Sequence, residues 1–195
     1  MQKFILFILT INIFSNTANC QITKGNWMVG GNFNYSNSRS SGSTPPDSKY
    51  RAITIMPTAG YFIFDKGAIG LKSKVTFTKA SYNLPDGTEI PNSQNHLGVG
   101  PFLRYYFLPI ENRINAFSEA SIFYKELITN VRGNYRSASK ELEYSLLGGI
   151  AIFLNSSVGI EFTLGYNHTK EINIDSKYED LRFGIGFQIF LEKEK

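Results

Sequence analysis

The side chains able to carry chemistry in this 195-residue chain are few. There are two histidines, His96 and His168, and one cysteine, Cys20. Hydrolysis or acyl transfer needs a nucleophile and a base held together, commonly Ser with His and a carboxylate. His168 opens the stretch NHTK with no Ser–Glu partner nearby in sequence, and no His-x-Ser-Asn pattern is present. Zinc-type Cys/His spacing and a glycine-rich phosphate loop ending in Lys-Ser/Thr are also missing. No cofactor or metal is implied. What remains is charge set among apolar and small residues: Lys72, Lys74, Arg104, Glu119, Glu143, Glu161, Asp180 and Arg182. Four cations and four anions can neutralise one another as a salt-bridge network, or line a narrow polar path. The choice depends on the elements that position them.

Those elements read as strands. Eight stretches alternate with period two: Trp27 to Tyr35, Ile53 to Ile63, Ile69 to Phe77, Leu97 to Phe107, Ile114 to Tyr124, Leu142 to Leu154, Val158 to Tyr166 and Leu181 to Ile189. Each is long enough for a tilted strand to cross a bilayer. The connections alternate too. FDKG, LPIENR and NSS are short, whereas the stretches near 36–49, 79–95, 125–140 and 167–180 are long and polar. The sequences PTAGYF, PFLRYYF and GGIAIFL form a weak repeat, each leading into a short connection.

Sorting residues by parity separates two faces. One carries Val29, Phe33, Ile55, Leu71, Leu103, Ile122, Leu146, Phe162, Phe183, Ile185, Phe187 and Ile189 and contains no Asp, Glu, Lys or Arg. Aromatics recur near its strand ends, at Trp27, Tyr35, Tyr61, Phe77, Tyr105, Phe107, Tyr124 and Tyr166, where membrane interfaces favour them. The other face holds the eight charges, Gln188 and many glycines. A soluble sandwich would reverse this arrangement. The expectation is an all-β, eight-stranded, antiparallel up-and-down transmembrane barrel, apolar outside and charged within, with short periplasmic turns and long extracellular loops. Pro57 and Pro101 fall inside strands and cannot donate ladder hydrogen bonds, so bulges or local breaks are expected there.

Lys and Arg number 20 against 16 Asp and Glu, too slight and scattered an excess for a nucleic-acid footprint. Residues 1–20 read as a signal peptide. Lys3 is the charged start, Phe4 to Phe14 the apolar core, and Ala18-Asn19-Cys20 the cleavage site, leaving 21–195 as the barrel domain. A lipidated Cys20 is the alternative, although Asn19 and Thr17 depart from a lipobox.

The signal, the hairpin GYFIFDKGAIGLKSK, PFLRYYF and the final strand together resemble the OmpA-like and OmpX-like eight-stranded outer-membrane β-barrel domains, especially the short forms of Bacteroidota. The resemblance spans about Lys24 to Leu191. It implies the outer membrane of a Gram-negative bacterium, contact with outer-membrane lipids and lipopolysaccharide, and insertion by the barrel-assembly machinery. Arg182, Gly184, Phe187 and Ile189 fill the places of that family's C-terminal assembly signal, although Ile189 stands where an aromatic is preferred and LEKEK follows it. A non-enzymatic envelope-structural or surface-interaction role through the loops is expected, with the extracellular partner unknown. Arg132, Tyr135, Arg136 and Lys140 are candidates for lipopolysaccharide headgroups. The other readings are a narrow pore, a lipid A-modifying enzyme, and a soluble lipocalin-like binder, the last suggested by Gly25-Asn26-Trp27.

Overall fold

The computed structural model describes residues 22–40, 48–83, 88–131, 135–172 and 176–192. The signal segment and Cys20 lie outside the described residues. Eight strands follow in order: β1 (Trp27–Ser40), β2 (Ser48–Phe64), β3 (Gly67–Asn83), β4 (Glu89–Tyr106), β5 (Ile114–Val131), β6 (Tyr135–Phe153), β7 (Val158–Glu171) and β8 (Lys177–Leu191). Each pairs antiparallel with its neighbours in sequence, and β1 pairs with β8 to close the barrel.

The strands are longer than their alternating cores. The alternation stops where the apolar belt stops, but the ladders continue through the polar stretches. β3 pairs with β4 as far as Asn83↔Glu89, and β5 with β6 as far as Val131↔Tyr135. Much of what reads as loop is therefore strand continuing past the belt, where polar residues such as Thr78, Lys125 and Thr169 still turn into the interior but carry no apolar period-two signal.

The closing ladder behaves differently. β1 pairs with β8 only from Trp27↔Leu191 to Phe33↔Ile185. Beyond it, Asn34–Ser40 pairs with β2 alone and Lys177–Gly184 with β7 alone. Past the ladder the Asn34 side-chain amide still donates to the Phe183 carbonyl.

Both prolines break a ladder without changing register. β2–β3 pairing is lost between Ile55↔Val75 and Thr58↔Lys72, around Pro57. β4–β5 pairing is lost between Val99↔Tyr124 and Phe102↔Ser121, around Pro101. At the second break the backbones approach closely, and a Cβ on Gly100 would collide with the Ile122 carbonyl oxygen. Only glycine fits there.

At the short-turn end Asp65–Lys66 makes a two-residue turn, with Lys66 at a φ of 68°. The segment before β1 crosses beneath the barrel. Lys66 donates its amide to the Ile22 carbonyl, Gly25 to Phe62, and Lys24 to the Asp65 carboxylate. Ile22 thereby joins a buried apolar cluster with Met28, Phe62, Phe102, Tyr106, Phe117, Phe153 and Phe190, which fills that end of the lumen.

Candidate functional site

The parity assignment of faces holds. Phe33, Leu71, Leu103, Leu146, Phe162, Phe183 and Ile185 are exposed, while Lys72, Lys74, Arg104, Glu119, Glu143 and Glu161 are buried. The layout is inverted relative to a water-soluble protein, so the lumen is the candidate site.

The inward charges form three hydrogen-bonded groups. Nearest the aromatic plug, Arg104 is completely buried; its Nε and Nη2 reach Glu119 Oε2 at 2.9 and 2.8 Å, and its Nη1 reaches Glu161 Oε1 at 2.5 Å. Lys72 binds the other Glu119 oxygen. Gln188 and the Tyr106 hydroxyl donate to Glu161 at 3.3 Å each. The Arg104 guanidinium also lies 4.3 Å from the Phe117 ring centre, which joins charge to plug.

The next group centres on Glu143. It accepts from Lys74 at 2.5 and 2.7 Å and from Lys125 at 2.8 Å. Lys125 also pairs with Glu141 at 2.9 Å, and the Tyr178 hydroxyl donates to Glu141 at 3.0 Å. The third group is Asp180 and Arg182, paired at 2.8 Å and partly exposed, with Asn167 donating to the same carboxylate.

All eight charges proposed from the sequence thus face the lumen, and they sit in separate groups rather than one network. Lys125 and Glu141 are missing from the sequence-based set because Lys125 opens the polar stretch 125–140 read as a connection and Glu141 falls between that stretch and the strand starting at Leu142. Counting parity onward from Phe123, or back from Glu143, would have placed them inward. They add one charge of each sign, so the described interior remains balanced. Buried charges are tolerable only when paired and hydrogen-bonded, and these are.

Above the Glu143 group a cavity of about 600 Å³ opens at the long-connection end. Lys74, Lys125, Glu141 and Glu143 form its floor, and His96 and Tyr178 help to wall it. Below it, a space of about 30 Å³ separates the groups of Glu143 and Glu119, room for a water or so.

The histidines take acidic neighbours. His96 Nδ1 is 3.7 Å from Glu141, and His168 Nδ1 is 3.2 Å from Glu179. Neither ring is hydrogen-bonded to a serine among the described residues. Glu179 lies on the β8 extension past the belt, where hydrogen bonds from Tyr166 and His168 hold its carboxyl below the usual range. Among the described residues no cluster of His, Cys, Asp and Glu could hold a metal ion.

The aromatics form two rims. Trp27 stacks obliquely on Tyr61 with ring centres 5.1 Å apart, and Tyr105 meets Phe107 edge-on at 5.4 Å, near the short turns. Tyr35, Phe77, Tyr124 and Tyr166 are exposed toward the other end. On β8, Phe187 and Ile189 face outward, Gly184 faces inward, and Arg182 points to the lumen mouth. Arg132 lies outside the described residues. Tyr135 and Arg136 begin β6, and Lys140 is exposed.

The barrel is similar to solved structures. Neisserial surface protein A (NspA) superposes with a TM-score of 0.55 at 15% identity, covering 85% of this chain and 97% of that one. The outer membrane protein OprG of Pseudomonas aeruginosa gives a TM-score of 0.57 at 16% identity, covering 89% of this chain and all of that one. This is the fold of the eight-stranded outer-membrane barrels. No family model matches the chain, and no curated protein matches it in sequence. At these identities the outer-membrane barrels share the architecture with this chain and nothing finer.

Proposed function

We propose that this is an integral outer-membrane protein of a Gram-negative bacterium, non-enzymatic, acting through the strand extensions and connections at its long-connection end in envelope support or surface interaction. The observation carrying this reading is the inverted layout: an uncharged apolar belt outside and neutralised charge within. A Lys or Arg facing lipid at the midplane costs about 2–4 kcal/mol, and the belt contains none. In this reading the aromatic rims sit at the two interfaces. Arg182, Gly184, Phe187 and Ile189 serve barrel assembly, and lipopolysaccharide is a partner at the outer rim, with the extracellular partner unidentified.

A pore is the weaker reading. The plug of Phe62, Tyr106, Phe117, Phe153 and Phe190, closed beneath by Ile22, fills one end of the lumen, and the Arg104 group sits directly on it. An eight-stranded barrel has an interior that side chains just fill. The test is gel mobility of membrane-extracted protein before and after boiling in SDS, with single-channel recording on the same material. A heat-dependent shift from the outer-membrane fraction and a silent bilayer are expected. An unshifted soluble protein overturns the barrel assignment, and regular conductance steps overturn the closed lumen.

A further inference from the structure

The cavity at the long-connection end is polar but carries no spare charge. Lys74 and Lys125 are held by Glu143 and Glu141, and Arg182 by Asp180, so each lysine, arginine and carboxylate on its lining has its counter-ion. The lysines and glutamates of the floor are buried. Around that floor stand uncharged groups that are not used up. The Tyr50 hydroxyl and the Gln94 amide make no hydrogen bond to a described residue, and His96 turns only Nδ1 toward Glu141, at 3.7 Å. Two tyrosines of inward parity, Tyr50 and Tyr178, line the same space at 39% and 42% exposure, unlike the rim tyrosines of the outer face. The Tyr178 hydroxyl donates to Glu141 at 3.0 Å and accepts from Lys125 at 3.3 Å. With the hydroxyl committed, the part of Tyr178 left open is its ring.

From this geometry we infer that the mouth cavity binds a neutral saccharide of one or two sugar rings. The inference rests on the surface-interaction reading above and gives that surface a ligand class. Charge decides first. An ionic ligand would have to draw a counter-ion out of a pair already made, and breaking a buried pair leaves the other charge uncompensated. A hydrocarbon would cover Gln94 and His96 without meeting their hydrogen-bonding capacity, which is costly. A sugar hydroxyl both donates and accepts. Several of them can therefore meet an amide, an imidazole nitrogen and a phenol together without adding charge. The C–H side of a sugar ring is apolar and can lie on an aromatic face. Tyr178, tied down at its hydroxyl, offers such a face with little freedom left to lose on binding. The volume of about 600 Å³ falls within the range of small-molecule sites, about 300–1,000 Å³.

The test uses the full protein in a zwitterionic detergent without a sugar headgroup, shown folded by its heat-dependent mobility. Glucose, N-acetylglucosamine, maltose, cellobiose and lactose are titrated by calorimetry, with glucuronate and glucosamine as charged counterparts of the same ring. Saturable binding of at least one neutral sugar is expected, tighter than that of either charged counterpart. Tyr50→Ala and Gln94→Ala remove side chains that hold nothing else among the described residues. Each should keep the mobility shift and weaken binding roughly tenfold, the effect of losing one good contact. Tyr178→Phe keeps the ring and should weaken binding less than Tyr178→Ala. Tighter binding of glucuronate or glucosamine overturns the neutral-ligand assignment. Unchanged binding in both Tyr50→Ala and Gln94→Ala overturns the site, and equal losses in the two Tyr178 variants overturn the ring contact. A shifted, folded barrel that binds none of the neutral sugars at millimolar concentration refutes this inference while leaving the membrane reading intact; a protein without the shift refutes both.

Discussion

Glu119→Gln is the sharpest probe of the lumen. Glu119 is 2% exposed, and its oxygens hold both Lys72 and Arg104. The substitution keeps shape and removes one charge, leaving Lys72 and Arg104 to share Glu161. Removing one member of a buried ion pair costs about 3–5 kcal/mol, because the surviving charge stays desolvated. The glutamine carbonyl still accepts one hydrogen bond, so about 3 kcal/mol is expected. Lys72→Met alone should cost less, about 1–2 kcal/mol, because Arg104 continues to hold Glu119. Combining the two restores neutrality around Arg104 and Glu161. The double variant should therefore be more stable than Glu119→Gln alone, with an interaction energy of about 2–3 kcal/mol. Urea unfolding in lipid vesicles, with the folded fraction read from unheated gel mobility, measures all four corners of the cycle. Single effects below about 0.5 kcal/mol, or effects that simply add, would show that these charges are hydrated and independent, and the packed network would be wrong.

Two further outcomes follow from the wall. Leu146→Arg, at a 63% exposed belt position, should lower stability in vesicles by about 2–4 kcal/mol, whereas Glu126→Arg past the belt should change it little. Gly100→Ala should destabilise by about 1–3 kcal/mol through its clash with the Ile122 carbonyl. Gly148→Ala, where a methyl would meet nothing within 4 Å, should be tolerated, and the same urea titration separates them.

The eight strands and their two faces were legible because a barrel wall that is apolar on one face and polar on the other imposes period two, and because the exclusion of charge from one parity is a strong signal. The strand ends were not. Beyond the belt, residues such as Lys79 and Ser93 still pair across β3 and β4, but the sequence there is polar on both parities and no longer reports structure. Lys125 and Glu141 were missed because they continue the inward parity just past the apolar alternation, in polar sequence that gives no face away. The ladder breaks at Pro57 and Pro101 were readable, since a missing N–H has a fixed consequence. The shortness of the β1–β8 ladder was not, because Asn34–Ser40 and Lys177–Gly184 are ordinary strand sequence, and nothing in it marks where their pairing stops.

The shortness of the β1–β8 ladder also bears on how the molecule comes to be. Seven of the eight strand pairs join consecutive segments and can zip as local hairpins. The remaining pair must bring together residues from the two ends of the domain, the largest loop entropy in the topology. That longest-range joint is also held by the fewest rungs, Trp27 to Phe33 against Ile114 to Val131 for β5 with β6. Ring closure is thus the least rewarded step and depends on the partners gathered at its base. Met28 and Phe190, packed among Phe62 and Phe153, act as the clasp. The order of events runs from hairpins to clasp, and fraying under stress should run the opposite way, starting at Asn34.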